Sequence, residues 1–280
     1  MAADGSADDR TLTLVVGVGY LGRRVLQAAE TGTVIGLSRS TRATLPMVET
    51  LDLDAGGPLP LTLPDDYSVL YTVPPARDDT GDARLERLLA LLEPAPATFV
   101  YISTTGVYGD CHGEWVDESR PLNPVADRAF RRADAERQVL QFCQSLNIAL
   151  VILRVPGIYG PGKIPLARIK SGQPVVNQKD SPFTNRIHSY DLVNICECAL
   201  LADHITGIYN VSDGHPGTMY EYFTGVAAAM GLPAPPAITL EQAQQQLSPG
   251  MLSYMAESRR IDNKKLLKDF AIELLYPDLQ

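Results

Sequence analysis

Gly17-Val18-Gly19-Tyr20-Leu21-Gly22 narrows the folds open to this chain more than any other stretch. It lies between an apolar run, TLTLVVG, that reads as a buried strand and a segment, YLGRRVLQAAE, that reads as a helix; a second buried strand, VIGLS, follows. Strand, glycine-rich turn, helix and strand make a βαβ unit. In such a turn the first glycine permits the tight bend, the second lets a diphosphate approach the backbone at the helix N-terminus, and the third lets the helix pack closely on the strand. A dinucleotide is the ligand this arrangement suits, with Gly17, Gly19, Tyr20, Leu21 and Gly22 as its contacts.

The pattern continues along the chain. Apolar runs at VETLDLD, YSVLYTV, TFVYIST and ALVILRV read as further strands. Between them Leu85, Leu88, Leu89 and Leu92 share one helical face, as do Ala135, Val139, Phe142, Cys143 and Leu146. Strands alternating with amphipathic helices predict an α/β fold, a Rossmann-type doubly wound parallel sheet covered on both faces. After about Gly160 the rhythm changes to loops rich in Pro and Gly, a strand at GIYNVSD, and helices around Tyr220–Met230 and Arg260–Asp269. The expected organisation is a loose N-terminus over 1–10, a dinucleotide-binding domain over 11–160, and a smaller lobe for substrate over 161–280, some of whose segments return to the main sheet.

A net charge of -9 and a pI near 4.9 oppose binding to polyanions such as nucleic acid or an anionic membrane, so any phosphate must be captured locally. No basic and apolar leader opens the chain and no long uncharged apolar run follows, which predicts a cytoplasmic protein. The four cysteines, Cys111, Cys143, Cys196 and Cys198, lack the spacing of a zinc site, and no metal is expected. The expected partner is a small-molecule substrate, and a homodimer is a possible assembly.

Where an NAD site carries an acidic residue at the end of the second strand, this chain reads Ser38-Arg39-Ser40, with Arg42 close by. A guanidinium and two hydroxyls suit the extra 2′-phosphate of NADP, so NADP(H) is expected in preference to NAD(H). Asp54, at the end of the predicted third strand, is a candidate acceptor for the adenine amino group.

The turn GVGYLG, the strand end STTGVYG at Ser103–Gly109 and the segment LRVPGIYGPG at Leu153–Gly162 together resemble the extended short-chain dehydrogenases, the nucleotide-sugar epimerase/dehydratase group. Asp117-Glu118 before Pro121, Asn185-Arg186-Ile187-His188 followed by Asp191, and Arg260 with Asn263 extend the resemblance over nearly the whole chain. It implies that Thr104 hydrogen-bonds a reacting hydroxyl or carbonyl. Val73, ending YSVLYTV, and Pro156, following LRV, are counted with the cofactor contacts.

The family also uses a Tyr-x-x-x-Lys pair, and here the chain departs from it. Aligned on Glu136, the tyrosine position holds Arg128 and the lysine position Arg132. A guanidinium does not give up its proton in proteins, so neither is a base. Arg132 could still donate to the nicotinamide ribose, and Arg128 could offer charge to an anionic substrate or oxyanion. Arg131 and Arg137 read as a solvated helix face. Tyr108, Tyr159 and His188 are the alternative bases. The resemblance thus points to an NADP(H)-binding oxidoreductase or epimerase/dehydratase-like enzyme acting on a small carbonyl, hydroxyl or nucleotide-sugar-like substrate. A catalytically silent NADP(H) sensor or scaffold is the competing reading, and a nucleotide-sugar binder using Arg186 and Arg260 a third.

Overall fold

A computed structural model describes residues 12–29, 33–40, 45, 47–77, 81–202 and 204–278. The expectations for the N-terminal ten residues and for Arg42 fall outside these.

In chain order the elements begin with β1 (Leu12–Val16), α1 (Tyr20–Ala28), β2 (Thr33–Ser38), β3 (Val48–Thr50), β4 (Tyr67–Tyr71), α2 (Ala83–Leu89) and β5 (Thr98–Thr104). A 3-10 turn at Thr105–Tyr108 leads to β6 (Trp115–Val116), α3 (Asp127–Leu146), β7 (Ala149–Val155), β8 (Gly157–Tyr159) and α4 (Leu166–Lys170). Next come β9 (Val175–Val176), β10 (Phe183–Thr184), β11 (Arg186–His188), α5 (Ser189–Leu201), β12 (Gly207–Asn210), β13 (Gly217–Thr218) and α6 (Met219–Ala229). The last are β14 (Ala237–Ile238), α7 (Leu240–Gln246), α8 (Pro249–Met255), β15 (Arg260–Ile261) and α9 (Lys264–Phe270).

The chain divides into two interleaved units. The first takes Met1–Ser103, Arg131–Leu153 and Val193–Ile208; the second takes Thr104–Phe130, Arg154–Leu192 and Tyr209–Gln280. This differs from the linear division at residue 160. The second unit draws Thr104–Phe130 from the first half of the chain, and most of α5 with the start of β12 goes back to the first unit.

The first unit is built on a seven-stranded parallel sheet in the order β12-β7-β5-β4-β1-β2-β3. β4 is buried at every residue, the consequence of an apolar strand covered by helices on both faces. Leu85, Leu88 and Leu89 of α2 and Ala135, Val139 and Cys143 of α3 join Leu14, Val69, Phe99 and Tyr101 in one core. Sequence order reverses between β1 and β4, which run parallel side by side. That reversal is the topological switch point, where ligands of such sheets bind at the strands' carboxyl ends.

Three elements depart from expectation. VETLDLD gives a strand of only Val48–Thr50, because Asp52 Oδ1 accepts the amides of Asp54 and Ala55 and bends the chain into a turn. Leu146 is exposed, since α3 ends there and Asn147 takes a left-handed φ of 54°. The last helix starts at Lys264, with Arg260 and Ile261 paired instead to β6.

The second unit consists of short strand pairs (β8 with β11, β6 with β15, β10 with β13, β9 with β14) and small helices. Thr218 with Glu221 and Thr239 with Gln242 form capping boxes that start α6 and α7. A small apolar cluster of Ile169, Val175, Phe223 and Ala227 lies under α6.

Candidate functional site

In the first unit the turn after β1 distinguishes its three glycines by what surrounds them. Gly17 has φ +100°, and a Cβ there would lie 2.6 Å from Thr72 Oγ1 and 2.9 Å from Val73 Cγ2. At Gly22 a Cβ would collide with the Gly17 carbonyl oxygen and meet Val15 Cγ1 at 3.1 Å, so helix and strand are packed to glycine distance. Gly19 has nothing within 4 Å of a Cβ position. The turn is closed at its first and third glycines and open at its second, the side from which a diphosphate would approach. Gly19 caps α1 with no side-chain hydrogen bond, and no acid occupies the first turn, so the helix N-terminus keeps its capacity for an anion. Thr72, missed in the sequence, donates its hydroxyl to Gly17 O at 2.6 Å and locks the turn to the end of β4. Tyr20 is half-buried beneath the Arg24 guanidinium and Leu21 is buried.

At the end of β2, Ser38 is buried while Arg39 and Ser40 are exposed. Arg39 Nη1 lies 3.3 Å from Asp54 Oδ2, but the principal partner of Asp54 is Arg84, whose Nε and Nη2 each donate at 2.6 Å. The Arg84 fork holds the Asp54 carboxyl below its ordinary pKa. Asp54 is therefore the anchor of an arginine pair, four residues beyond the end of β3 rather than at a strand terminus. Arg84 carried no signal in the sequence beyond being one of several helix-face arginines.

Arg132 is folded inward. Its Nη1 donates to Tyr101 Oη and Ile102 O at 2.9 Å and to Val73 O at 3.4 Å, tying together the ends of β4 and β5. The Tyr101 ring stacks on Tyr71 with centroids 5.9 Å apart. Burial pushes the Tyr101 phenol up to about 12, against the opposing pull of Arg132. Tyr71 Oη and Asp82 Oδ2 are buried without a hydrogen-bond partner among the described residues, and burial raises the pKa of both. Asp82 is fully buried and caps α2 by accepting the Leu85 amide at 3.1 Å. Glu136, used above to align the helix, accepts from Ser103 Oγ at 2.5 Å in the core.

The remaining candidates lie in the second unit. Thr104 is half-buried at the end of β5, its Oγ1 accepting the Gly106 amide at 3.2 Å, which leaves the hydroxyl proton to donate. Tyr108 is buried within a chain in which Arg154 donates to its oxygen at 2.8 Å and it donates to Asn210 Oδ1 at 2.8 Å. The Asn210 backbone N–H donates to Glu118 Oε1 at 2.7 Å, and its side-chain amide to the carbonyl of Val116 at 3.2 Å. Tyr159 donates to the carbonyl of Asp278 at 2.9 Å, and His188 is buried against the rings of Tyr159, Tyr190 and Tyr276. These three side chains are thus engaged in structural contacts. Pro156 is half-buried in the link from β7 to β8. Arg128 is fixed by α8: Nη1 donates to Ser253 Oγ at 2.8 Å and the guanidinium lies 4.0 Å over the Tyr254 ring. Arg137 pairs with Asp134 on the exposed face of α3, as expected of a solvated arginine. Among the described residues no cluster of His, Cys, Asp and Glu is suited to a metal, and no helix is long and apolar enough to cross a membrane.

Residues 82–212 match the NAD dependent epimerase/dehydratase family. A functionally unknown conserved protein from Silicibacter pomeroyi is 30% identical, with a TM-score of 0.79 over 96% of this chain and 95% of that one. An uncharacterized UDP-glucose epimerase of Bacillus subtilis is 38% identical over 82 residues, 29% of this chain and 26% of that protein's length. The matched stretch thus spans about a quarter of that relative. A human epimerase family protein crystallised with NADPH, 18% identical over 96% of each chain, shares the fold at a TM-score of 0.70.

Proposed function

We propose that this chain, which belongs to the NAD dependent epimerase/dehydratase family, is an NADP(H)-dependent oxidoreductase or epimerase-like enzyme acting on a small carbonyl, hydroxyl or nucleotide-sugar-like substrate. The observation that carries the reading is the glycine turn, shut at Gly17 and Gly22 and open at Gly19. Its backbone, with the N-terminus of α1, would hold the diphosphate. Ser38, Arg39 and Ser40 would take the 2′-phosphate, and the carbonyl of Val73, positioned by Arg132, would line the cofactor. A bound nicotinamide supplies the hydride chemistry that no side chain can provide.

Thr104 contributes the hydrogen bond. With its oxygen accepting from Gly106, its hydroxyl keeps a proton that would be donated to polarise a substrate oxygen. Arg128 supplies fixed positive charge and cannot exchange a proton near neutral pH. Turnover that falls about a hundredfold in Thr104→Ala with cofactor affinity intact would support this role; an unchanged rate would remove Thr104 from the chemistry.

One set of observations favours the silent NADP(H) sensor instead. Tyr108, Tyr159 and His188, the candidate bases, are committed to structural contacts, and the guanidinium groups of Arg128 and Arg132 are not bases. A broad substrate panel without turnover, from a protein that binds NADP(H), would select that reading.

A further inference from the structure

The contacts of Arg128 point to a property of the substrate. We propose that Arg128, held by α8, is an oxyanion-binding subsite, and that the substrate of the reaction inferred above carries a carboxylate or phosphate group that docks on it. This rests on the reading of the chain as an enzyme and adds the chemical class of what it binds.

Arg128 is oriented chiefly by neutral groups, with one long ion pair. Its two close contacts are a neutral hydroxyl, Ser253 Oγ at 2.8 Å, and a neutral ring, Tyr254, at 4.0 Å from the guanidinium carbon. The nearest carboxylate oxygen, Oε1 of Glu257, lies 4.0 Å from Nη2, beyond hydrogen-bonding distance. Glu257, which is buried, is held more closely by Arg259, whose Nη2 lies 2.7 Å from its Oε2 and whose side chain is half-buried. Arg259 spends a further nitrogen on the carbonyl of Gly109. Two guanidinium groups thus share one carboxylate, which lies closer to Arg259, and Arg128 is the more exposed of the two at 38%.

α8 buries none of its residues fully; Met251, Leu252 and Met255 are half-buried, and Ser253 and Tyr254 meet Arg128. Ser248 caps it and Pro249 starts it, and Arg168 Nη1 contacts its Met251 sulfur at 3.2 Å. A short surface helix therefore presents a hydroxyl and an aromatic face to a cation that still reaches solvent. Fixing a guanidinium before the ligand arrives removes part of the ordering cost of binding, and a planar fork with one edge open suits carboxylate and phosphate oxygens. A tyrosine at position 128 would have offered neither charge nor fork.

The test uses full-length, arginine-labelled protein, with sodium malonate and inorganic phosphate titrated as probes while the Arg128 Nε–Hε signal is followed by NMR. The titrations are run at saturating NADP(H) and again in Gly19→Val, so that phosphate cannot be read at the cofactor turn. At least one anion should bind saturably, and Arg128→Gln should weaken that binding by about tenfold or more. Arg128→Lys should retain part of it, and Tyr254→Ala should weaken it by a few fold; these two are read if Arg128→Gln fails to fold. Tighter binding of malonate assigns a carboxylate, and tighter binding of phosphate a phosphoryl group. Absence of saturable binding of either anion overturns the proposal. So does a variant that lowers the melting temperature while leaving anion affinity unchanged, which would make Arg128 only a pin for α8. Failure of the wild type to bind NADP(H) would instead strike the functional reading, and the Gly19→Val titration would still report on the subsite.

Discussion

Replacing Gly19 and Gly22 separately should divide ligand binding from folding, because the two glycines meet opposite surroundings in one turn. An alanine methyl at 22 would meet the Gly17 carbonyl, a backbone atom that cannot rotate aside, and Val15 Cγ1 at 3.1 Å. Overpacking of this kind costs about 1–3 kcal/mol, and the better helix propensity of alanine returns about 0.5–1 kcal/mol. Contact with a backbone atom puts the cost at the upper end, so the net loss, about 2–2.5 kcal/mol, should lower the melting temperature by about 2–4 °C per kcal/mol in a chain of this size. At Gly19 a Cβ meets no atom within 4 Å and φ is -85°, outside the left-handed region, so stability should change by less than about 1 kcal/mol in Gly19→Val. Its side chain nonetheless fills the approach to the turn. Displacing a diphosphate held by several charge-assisted hydrogen bonds, each about 1.5–3 kcal/mol, should weaken NADP(H) by about a hundredfold or more. Thermal melts of the free proteins and fluorescence titration with NADPH read the two effects apart. Normal NADPH affinity in Gly19→Val, or a Gly22→Ala chain as stable as wild type, would refute the geometric argument.

Arg39→Ala should weaken NADP(H) by about tenfold and leave NAD(H) nearly unchanged in parallel equilibrium titrations, since only the former carries the phosphate that Arg39 would meet. Arg132→Met should cost about 2–3 kcal/mol in denaturant unfolding by stripping donors from Tyr101, Ile102 and Val73, with Lys recovering part of it. Asp213 is buried and burial raises its pKa from 3.8 to about 6, so its contribution to stability is present below pH 4 and is lost as pH rises through 6. Asp213→Asn, if it keeps the bond from the His215 amide, should flatten unfolding free energy between pH 4 and 6 relative to wild type and gain on the order of 2 kcal/mol at pH 7.

The parts of the molecule written in local pattern were legible in the sequence. Leu85, Leu88 and Leu89 recur at helical spacing and are buried, YSVLYTV is a continuous apolar run and forms the central strand β4, and the glycine turn sits at the switch between β1 and β4. What depended on distant partners was not. Asp54 looked like a strand-end acceptor because nothing adjacent reveals that Arg84, thirty residues on, takes its carboxylate. Tyr108 looked like a spare phenol, yet Arg154 and Asn210 reach it from residues far along the chain. The partners of Arg128 lie 125 or more positions away, and nothing in the local sequence of α3 reveals them. The strand at GIYNVSD and a return of later segments to the main sheet were legible, but nothing local marks that β12 takes the edge position beside β7.

The central claim, that the first unit is an NADP(H) site, is tested most directly by equilibrium titration of the purified chain with NADPH and NADH under identical salt. Saturable binding of both is expected, with NADPH tighter by about tenfold or more, the ratio that follows from one additional charge-assisted phosphate contact. Equal affinities would remove the role assigned to Ser38, Arg39 and Ser40. Failure of either nucleotide to bind would contradict the claim itself.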